Sequence, residues 1–280
     1  MSVRAAVGVT AGGAAAATLA YVLLRRRSPS PEVLQLTLIG FGAVNKALAR
    51  LIHANAEMLR AKHNLVVVYR AIVARHGAWE AQPGYELDAA SVAALADAVA
   101  SGAAKLDGST SPPQGVAATS KPTVSDIRGM ISRTPAYRLT CLAEAIDVDY
   151  DRGEPATTYI ADALARGAHC VSANKGPVVH HRARLLALAS KYGVRYLHES
   201  AVMDGVPIFS LWRGGFLPGG AKLLKFRGCL NATTCVVLSG MARGVCSPHV
   251  SPHLPTSPHI SDVCRPMRSA CRKVNRWTRR

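Results

Sequence analysis

The sequence predicts an α/β protein: a parallel β-sheet with helices on both faces, followed by the start of a smaller α+β domain. Three observations predict it. Short runs rich in β-branched residues alternate with helical patterns of about 12 residues, the signature of βαβ units. A glycine turn, Gly40-Phe41-Gly42, sits between the first such run and the first helical pattern. Finally, 280 residues with 49% hydrophobic and 18% charged side chains can bury a sizeable core. That balance excludes wholesale disorder and fibrous repeats.

The elements follow in order. Residues 33–39 form a short apolar strand ending at Gly40, and the helical pattern after it places Ala47, Leu48, Leu51, Ile52 and Leu59 on one face. Residues 65–74 (LVVVYRAIVA) are the second strand, followed by a loop with Gly77, Pro83 and Gly84. A helix is expected over 89–100. Residues 101–123, rich in Gly, Ser, Pro and Ala, read as a surface loop. Strand 138–146, helix 155–166 with Pro155 near its first turn, strand 169–173, helix 177–192 and strand 194–199 continue the alternation. A strand over 223–228 and a helix over 231–242 close the regular pattern. The expected division is a first domain over 32–193 and the start of a second over 194–243.

The net charge of +17 first suggests a nucleic-acid binder, but its distribution argues otherwise. Residues 1–31 carry four arginines and no acid, and 244–280 carry seven Lys/Arg against Asp262 alone. These two ends hold +10 of the excess, without aromatic interleaving, and no nucleic-acid partner is expected. Residues 5–24 lack any charge and precede Arg25-Arg26-Arg27. They read as an organelle (plastid or mitochondrial) targeting segment, a membrane anchor or a gene-start artefact, outside the fold in each case. Without such targeting the location is cytoplasmic. The tail over 244–280 repeats Ser-Pro-His three times and reads as low-complexity sequence. Seven cysteines without a CxxC pair fit free thiols in a reducing compartment.

Gly40, Phe41, Gly42, Ala43, Val44 and Asn45 lie where a dinucleotide fingerprint belongs, between strand and helix. The first glycine allows the tight turn. The second lets the backbone approach a pyrophosphate held at the helix N-terminus. The usual third glycine is Asn45. This is a Rossmann-type signature. The second strand ends in Arg75 rather than the acid that serves ribose hydroxyls in NAD sites, which favours NADP(H) over NAD(H). An ordinary solvated loop arginine is the alternative.

Three further segments resemble the homoserine dehydrogenase family: Ser172-Ala173-Asn174-Lys175-Gly176-Pro177, the turn from Glu199 to Ile208, and Phe226-Arg227-Gly228-Cys229-Leu230-Asn231-Ala232-Thr233-Thr234. They are similar, in order, to that family's T-A-N-K-G-P loop, its E-x-x-V-x-x-G-x-P turn and its G-I-L-N-G-T-T turn. The resemblance implies NAD(P)H-dependent interconversion of L-aspartate 4-semialdehyde and L-homoserine, a step toward threonine and methionine. It implies Lys175 as the catalytic cation, with Asn174 and Lys175 beside the cofactor. It implies Gly228, Asn231 and Thr233 at the substrate. Glu199, Val202, Asp204 and Val206 would hold a monovalent cation such as Na+; the alternative for that turn is a plain interdomain connection. A complete family fold would be a homodimer with a substrate and dimerisation domain after residue 194.

Beyond residue 243 nothing carries over. The family's acidic helices and second lysine have no counterpart, since Asp262 and Lys273 stand eleven residues apart without helical period. The expectation is therefore a truncated dehydrogenase, inactive as given if those groups are essential. Its alternative is a non-catalytic nucleotide-binding or anchored interaction protein.

Overall fold

The computed structural model describes residues 30–134, 139–202 and 206–225. The expected leader or anchor, the helix over 231–242, the basic tail and all but 223–225 of the strand expected over 223–228 lie outside the described residues, and 223–225 carry no strand. No helix among the described residues is long and apolar enough to cross a membrane. The chain divides into two compact units at Leu223, and the fold below belongs to the first.

The strands are β1 (Glu32–Ile39), β2 (Leu65–Ala74), β3 (Gly77–Ala81), β4 (Leu87–Asp88), β5 (Val116–Ser120), β6 (Leu139–Glu144), β7 (His169–Ser172) and β8 (Tyr196–Leu197). The helices are α1 (Ala43–Ala54), α2 (Ala56–His63), α3 (Ala89–Ser101), α4 (Val124–Ser132), α5 (Ala156–Ala165), α6 (Lys175–Lys191) and the single turn α7 (Ile208–Leu211). One eight-stranded sheet runs β5-β3-β2-β1-β6-β7-β8, with β4 paired to β2. The centre, from β2 through β8, is parallel as expected. The flank is not: β3 and β4 pair antiparallel to β2, and β5 antiparallel to β3.

Alternation along the strands sends side chains into two cores. Leu36, Leu38, Tyr69, Ile72 and Ala143 pack with Ala49 of α1 and Val92, Leu95 and Ala96 of α3. Ile39, Val73, Leu142 and Cys170 pack with Ile127 and Met130 of α4, Ile160 and Leu164 of α5, and Leu185 of α6. Helices therefore cover both faces, and the C-terminal halves of the central strands β1, β2 and β6 are buried on both sides, while Val171 of β7 and Leu197 of β8 are exposed.

The differences from the expected elements have local causes. Residues after Gly77 form a strand because Gly77 takes a close approach: a Cβ there would lie 1.2 Å from the Leu106 carbonyl oxygen. The 101–123 segment is thus folded back onto the sheet, with Ala104 and Leu106 buried and β5 closing its edge. Helix α4 starts at a capping box in which Thr123 and Asp126 exchange hydrogen bonds, a signal the reading by periodicity passed over. The buried face of α1 is Asn45, Leu48, Ala49 and Ile52, while Ala47 and Leu51 face solvent. Helix α6 begins two residues earlier than expected, at Lys175. The strand expected over 194–199 shortens to β8.

Candidate functional site

A crevice of about 690 Å³ opens at the C-terminal ends of β1, β2 and β6. This is where the chain leaves β1 for β2 on one side and returns to β6 on the other, the switch point at which open α/β sheets bind ligands. Gly40, Phe41, Gly42, Arg75, Asp147 and Tyr159 are among its walls. Its size lies in the range of ordinary cofactor sites, about 300–1,000 Å³.

The glycine turn is built as its sequence demands. Gly40 has φ +88°, and its N–H donates to the Val73 carbonyl at 2.9 Å. A Cβ there would meet the Ala145 carbonyl oxygen at 2.3 Å, so only glycine fits. Gly42 is the N-cap of α1, and a Cβ there would meet nothing within 4 Å. No side chain caps α1, and Ala43 and Val44 are exposed in its first turn. The bare helix N-terminus beside open space is what a pyrophosphate requires. Asn45 replaces the third glycine by working inward. It is 2% exposed, and its amide nitrogen donates to the carbonyls of Gly40 (2.6 Å), Ile39 (3.3 Å) and Ala143 (3.3 Å). The side chain ties the helix start to β1 and β6 where close backbone packing usually does so.

The two arginines near the end of β2 differ in fate. Arg70 is the extra residue of a β-bulge, since Leu36 pairs with Tyr69 and Thr37 with Ala71. The bulge leaves Arg70 buried, and its guanidinium pairs with Glu80 at 3.4 Å. Glu80 also accepts two bonds from Arg133, at 2.7 and 3.1 Å. The carboxylate, chiefly through those bonds, holds the Arg133 guanidinium above its ordinary pKa. Arg75 stays at the crevice and forms an ion pair with Asp147, an acid the sequence reading did not single out.

Asn174 and Lys175 stand one strand beyond the crevice wall, after β7. Asn174 is the N-cap of α6, its side-chain oxygen accepting from the Gly176 amide at 3.0 Å. Lys175 is therefore the first residue of that helix, half-buried. The residue that orders this turn, Glu144 at the end of β6, was missed. It is 1% exposed. Its carboxylate accepts from the Ser172 hydroxyl at 2.5 Å, the Asn174 amide at 3.0 Å and the Ile146 N–H at 2.9 Å. Burial pushes its pKa up, against the pull of those three bonds. The available signal was an acid ending an apolar strand run. Ile146 lines the crevice, so one carboxylate joins the crevice wall to the lysine turn.

The carboxylate of Glu199 caps α7, accepting from the amides of Phe209 (2.7 Å) and Ser210 (3.0 Å) and from the Ser210 hydroxyl (2.9 Å). Both carboxylate oxygens of Glu199 are thus engaged by the start of α7. Val202 and Val206 are described at the two ends of this turn. Asp204 lies outside the described residues, as do Gly228, Asn231 and Thr233.

A family model described as the homoserine dehydrogenase NAD-binding domain matches residues 40–199, more than half of the chain. The NAD(+)-dependent homoserine dehydrogenase of Pseudomonas canavaninivorans is 34% identical over 219 residues, 75% of this chain and 54% of its own. The homoserine dehydrogenase of Methanocaldococcus jannaschii is 26% identical over 210 residues, 75% of this chain and 56% of its own. The chain thus spans about half the length of these curated relatives. A hyperthermophilic archaeal homoserine dehydrogenase solved in complex with NADPH shares the fold, with a TM-score of 0.50 at 20% identity. That likeness covers 66% of this chain and 50% of the other. The matched range takes in the glycine turn, the crevice and the Asn174-Lys175 turn, and the chain belongs to the homoserine dehydrogenase family through its NAD-binding domain.

Proposed function

We propose that this chain binds a nicotinamide dinucleotide and serves the interconversion of L-aspartate 4-semialdehyde and L-homoserine. The observation that carries the reading is the uncapped N-terminus of α1, facing the crevice beside Gly42. The amides of that first turn hold the pyrophosphate, and Gly42 lets the backbone approach it. When bound, the reduced nicotinamide supplies a hydride to the aldehyde carbon. The ammonium of Lys175 donates a hydrogen bond and then a proton to the developing alkoxide oxygen. Glu144 holds Asn174, and through it the cap of α6, so that Lys175 starts the helix in one place.

Between the two dinucleotides we propose NADP(H), on the guanidinium of Arg75 at the end of β2. The NAD(+)-dependent relative makes this the point to test. A second reading, binding without turnover, is favoured by the scarcity of acid and lysine after residue 225, where only Asp262 and Lys273 remain. Fluorescence titration and NADPH oxidation with the semialdehyde separate the two. Gly42→Asp should abolish dinucleotide affinity in a folded protein; unchanged affinity overturns the site. Turnover that disappears in Lys175→Ala supports the enzyme reading. Turnover absent in the wild type, with affinity intact, supports the second.

A further inference from the structure

We propose that Asp147 is a specificity-determining residue of this crevice: it holds Arg75 in the empty site, and a 2′-phosphate binds by taking its place. The inference rests on the dinucleotide reading above and deepens it. Strand β1 lies between β2 and β6 in the sheet. Ile39 is level with Val73 on one side and with Glu144 on the other. Arg75 follows Val73 by two residues, Asp147 follows Glu144 by three, and Phe41 of the glycine turn follows Ile39 by two. Strands sit about 4.8 Å apart, so the backbones of Arg75 and Asp147 flank the turn about 10 Å from each other. Their side chains close that gap as an ion pair, and both residues line the crevice with Gly40 and Gly42.

A dinucleotide laid on the N-terminus of α1 must therefore pass this pair. The side chains are 72% and 85% exposed, so the pair is inexpensive to open. While it stands, the guanidinium charge is neutralised where a dianionic 2′-phosphate would need it. Once the phosphate has taken the guanidinium, the freed carboxylate remains a like charge beside it. A ribose with a free 2′-hydroxyl meets no such opposition, because a hydroxyl can donate to a carboxylate. Asp147 thus sets the ratio between the two dinucleotides, acting against Arg75.

The test is equilibrium binding of NADPH and NADH, read by fluorescence, to the full chain and to Asp147→Asn, Asp147→Ser and Arg75→Ala. Both Asp147 variants should tighten NADPH about fivefold and leave NADH within twofold. Arg75→Ala should weaken NADPH about tenfold or more and leave NADH nearly unchanged. Adding Arg75→Ala to Asp147→Asn should erase the gain. An NADPH-to-NADH ratio unchanged in both Asp147 variants, or an equal shift for both ligands, overturns the proposal while the site reading stands. A wild-type protein that binds neither ligand overturns both. The Asp147 side chain is exposed, and a far-ultraviolet spectrum matching the wild type confirms that each variant is folded.

Discussion

Removing the Glu144 carboxylate is expected to cost more stability than any other single truncation at the site. The magnitude follows from the groups it satisfies. In Glu144→Ala the Ser172 hydroxyl and the Ile146 N–H lose the acceptors found 2.5 and 2.9 Å away. The Asn174 amide keeps only the Ile146 carbonyl at 3.5 Å. Buried donors left without acceptors cost about 1–3 kcal/mol each, so the variant loses about 4 kcal/mol before any cavity is counted. For a domain of this size that is a fall in Tm of about 10–15 °C. Glu144→Gln keeps one oxygen for the two N–H donors and loses about 1–2 kcal/mol.

The two variants also differ in pH dependence. Burial raises the Glu144 pKa in the fold above its unfolded value, so the folded chain holds that proton more tightly. Wild-type stability from this group therefore falls as pH rises from the ordinary carboxylate range toward the raised pKa, and is level beyond it. The Gln variant has no such slope. Thermal or urea unfolding at several pH values checks both statements. The wild-type advantage over Glu144→Gln should be largest in acid and shrink toward neutrality. A loss below 1 kcal/mol in Glu144→Ala, or an advantage independent of pH, refutes the reasoning.

Two other pairs of substitutions separate geometry from charge. Gly40→Ala drives a methyl group against the Ala145 carbonyl at a φ of +88° and should prevent soluble folding. Gly42→Ala meets nothing within 4 Å and should keep its Tm within about 2 °C, as solubility and calorimetry will show. Glu80→Gln leaves the buried Arg70 without a counter-charge and should cost about 3–5 kcal/mol in denaturant unfolding, whereas Arg133→Ala, removing a 56% exposed partner, should cost about 1 kcal/mol. Equal losses would show that Arg70 does not depend on Glu80.

The parallel centre was legible because β1 and β2 read as largely apolar runs, and because Gly40, where a Cβ would strike the Ala145 carbonyl, and the open Gly42 mark the turn after β1. The antiparallel flank was not. Gly77 signals a turn by composition, yet it is glycine because Leu106 presses on it, a contact between residues 29 positions apart. The β5 strand, VAATS, is a half-exposed edge with no contrast between its faces. At the site, the motif singled out Asn174 and Lys175 as a loop before a helix expected from 177; in the structure they are the N-cap and first residue of α6. Asn45 was legible as a departure from the glycine pattern, but its inward amide depends on carbonyls of β1 and β6 that only the fold brings together. Glu144 and Asp147 act across strands, through partners 28 to 72 residues away; an acid closing an apolar run marks Glu144, but nothing in its own neighbourhood announces Asp147.

These long-range ties also decide which half of the chemistry the described residues can hold by themselves. Lys175 is fixed to the crevice in three independent ways. Glu144 bonds to the crevice residue Ile146 and to the cap of α6. Gly153 and Gly176 meet so closely that a Cβ on either would stand 2.7 Å from backbone atoms of the opposite segment. The rings of His180 and His181 reach the carbonyls of Tyr150 and Arg152, at 2.8 and 3.0 Å. The segment between β6 and α5 is therefore tied to the first turns of α6, and these contacts among the described residues hold Lys175 in place relative to the crevice. Dinucleotide affinity and the placement of Lys175 are properties of the NAD-binding domain. Substrate recognition, which the family resemblance would put at Gly228, Asn231 and Thr233, belongs on the proposed reading to the chain that follows. A substitution after residue 225 that loses turnover while keeping dinucleotide affinity and the Glu144-dependent stability reports on that second part, whereas Lys175→Ala with the same profile reports on the first.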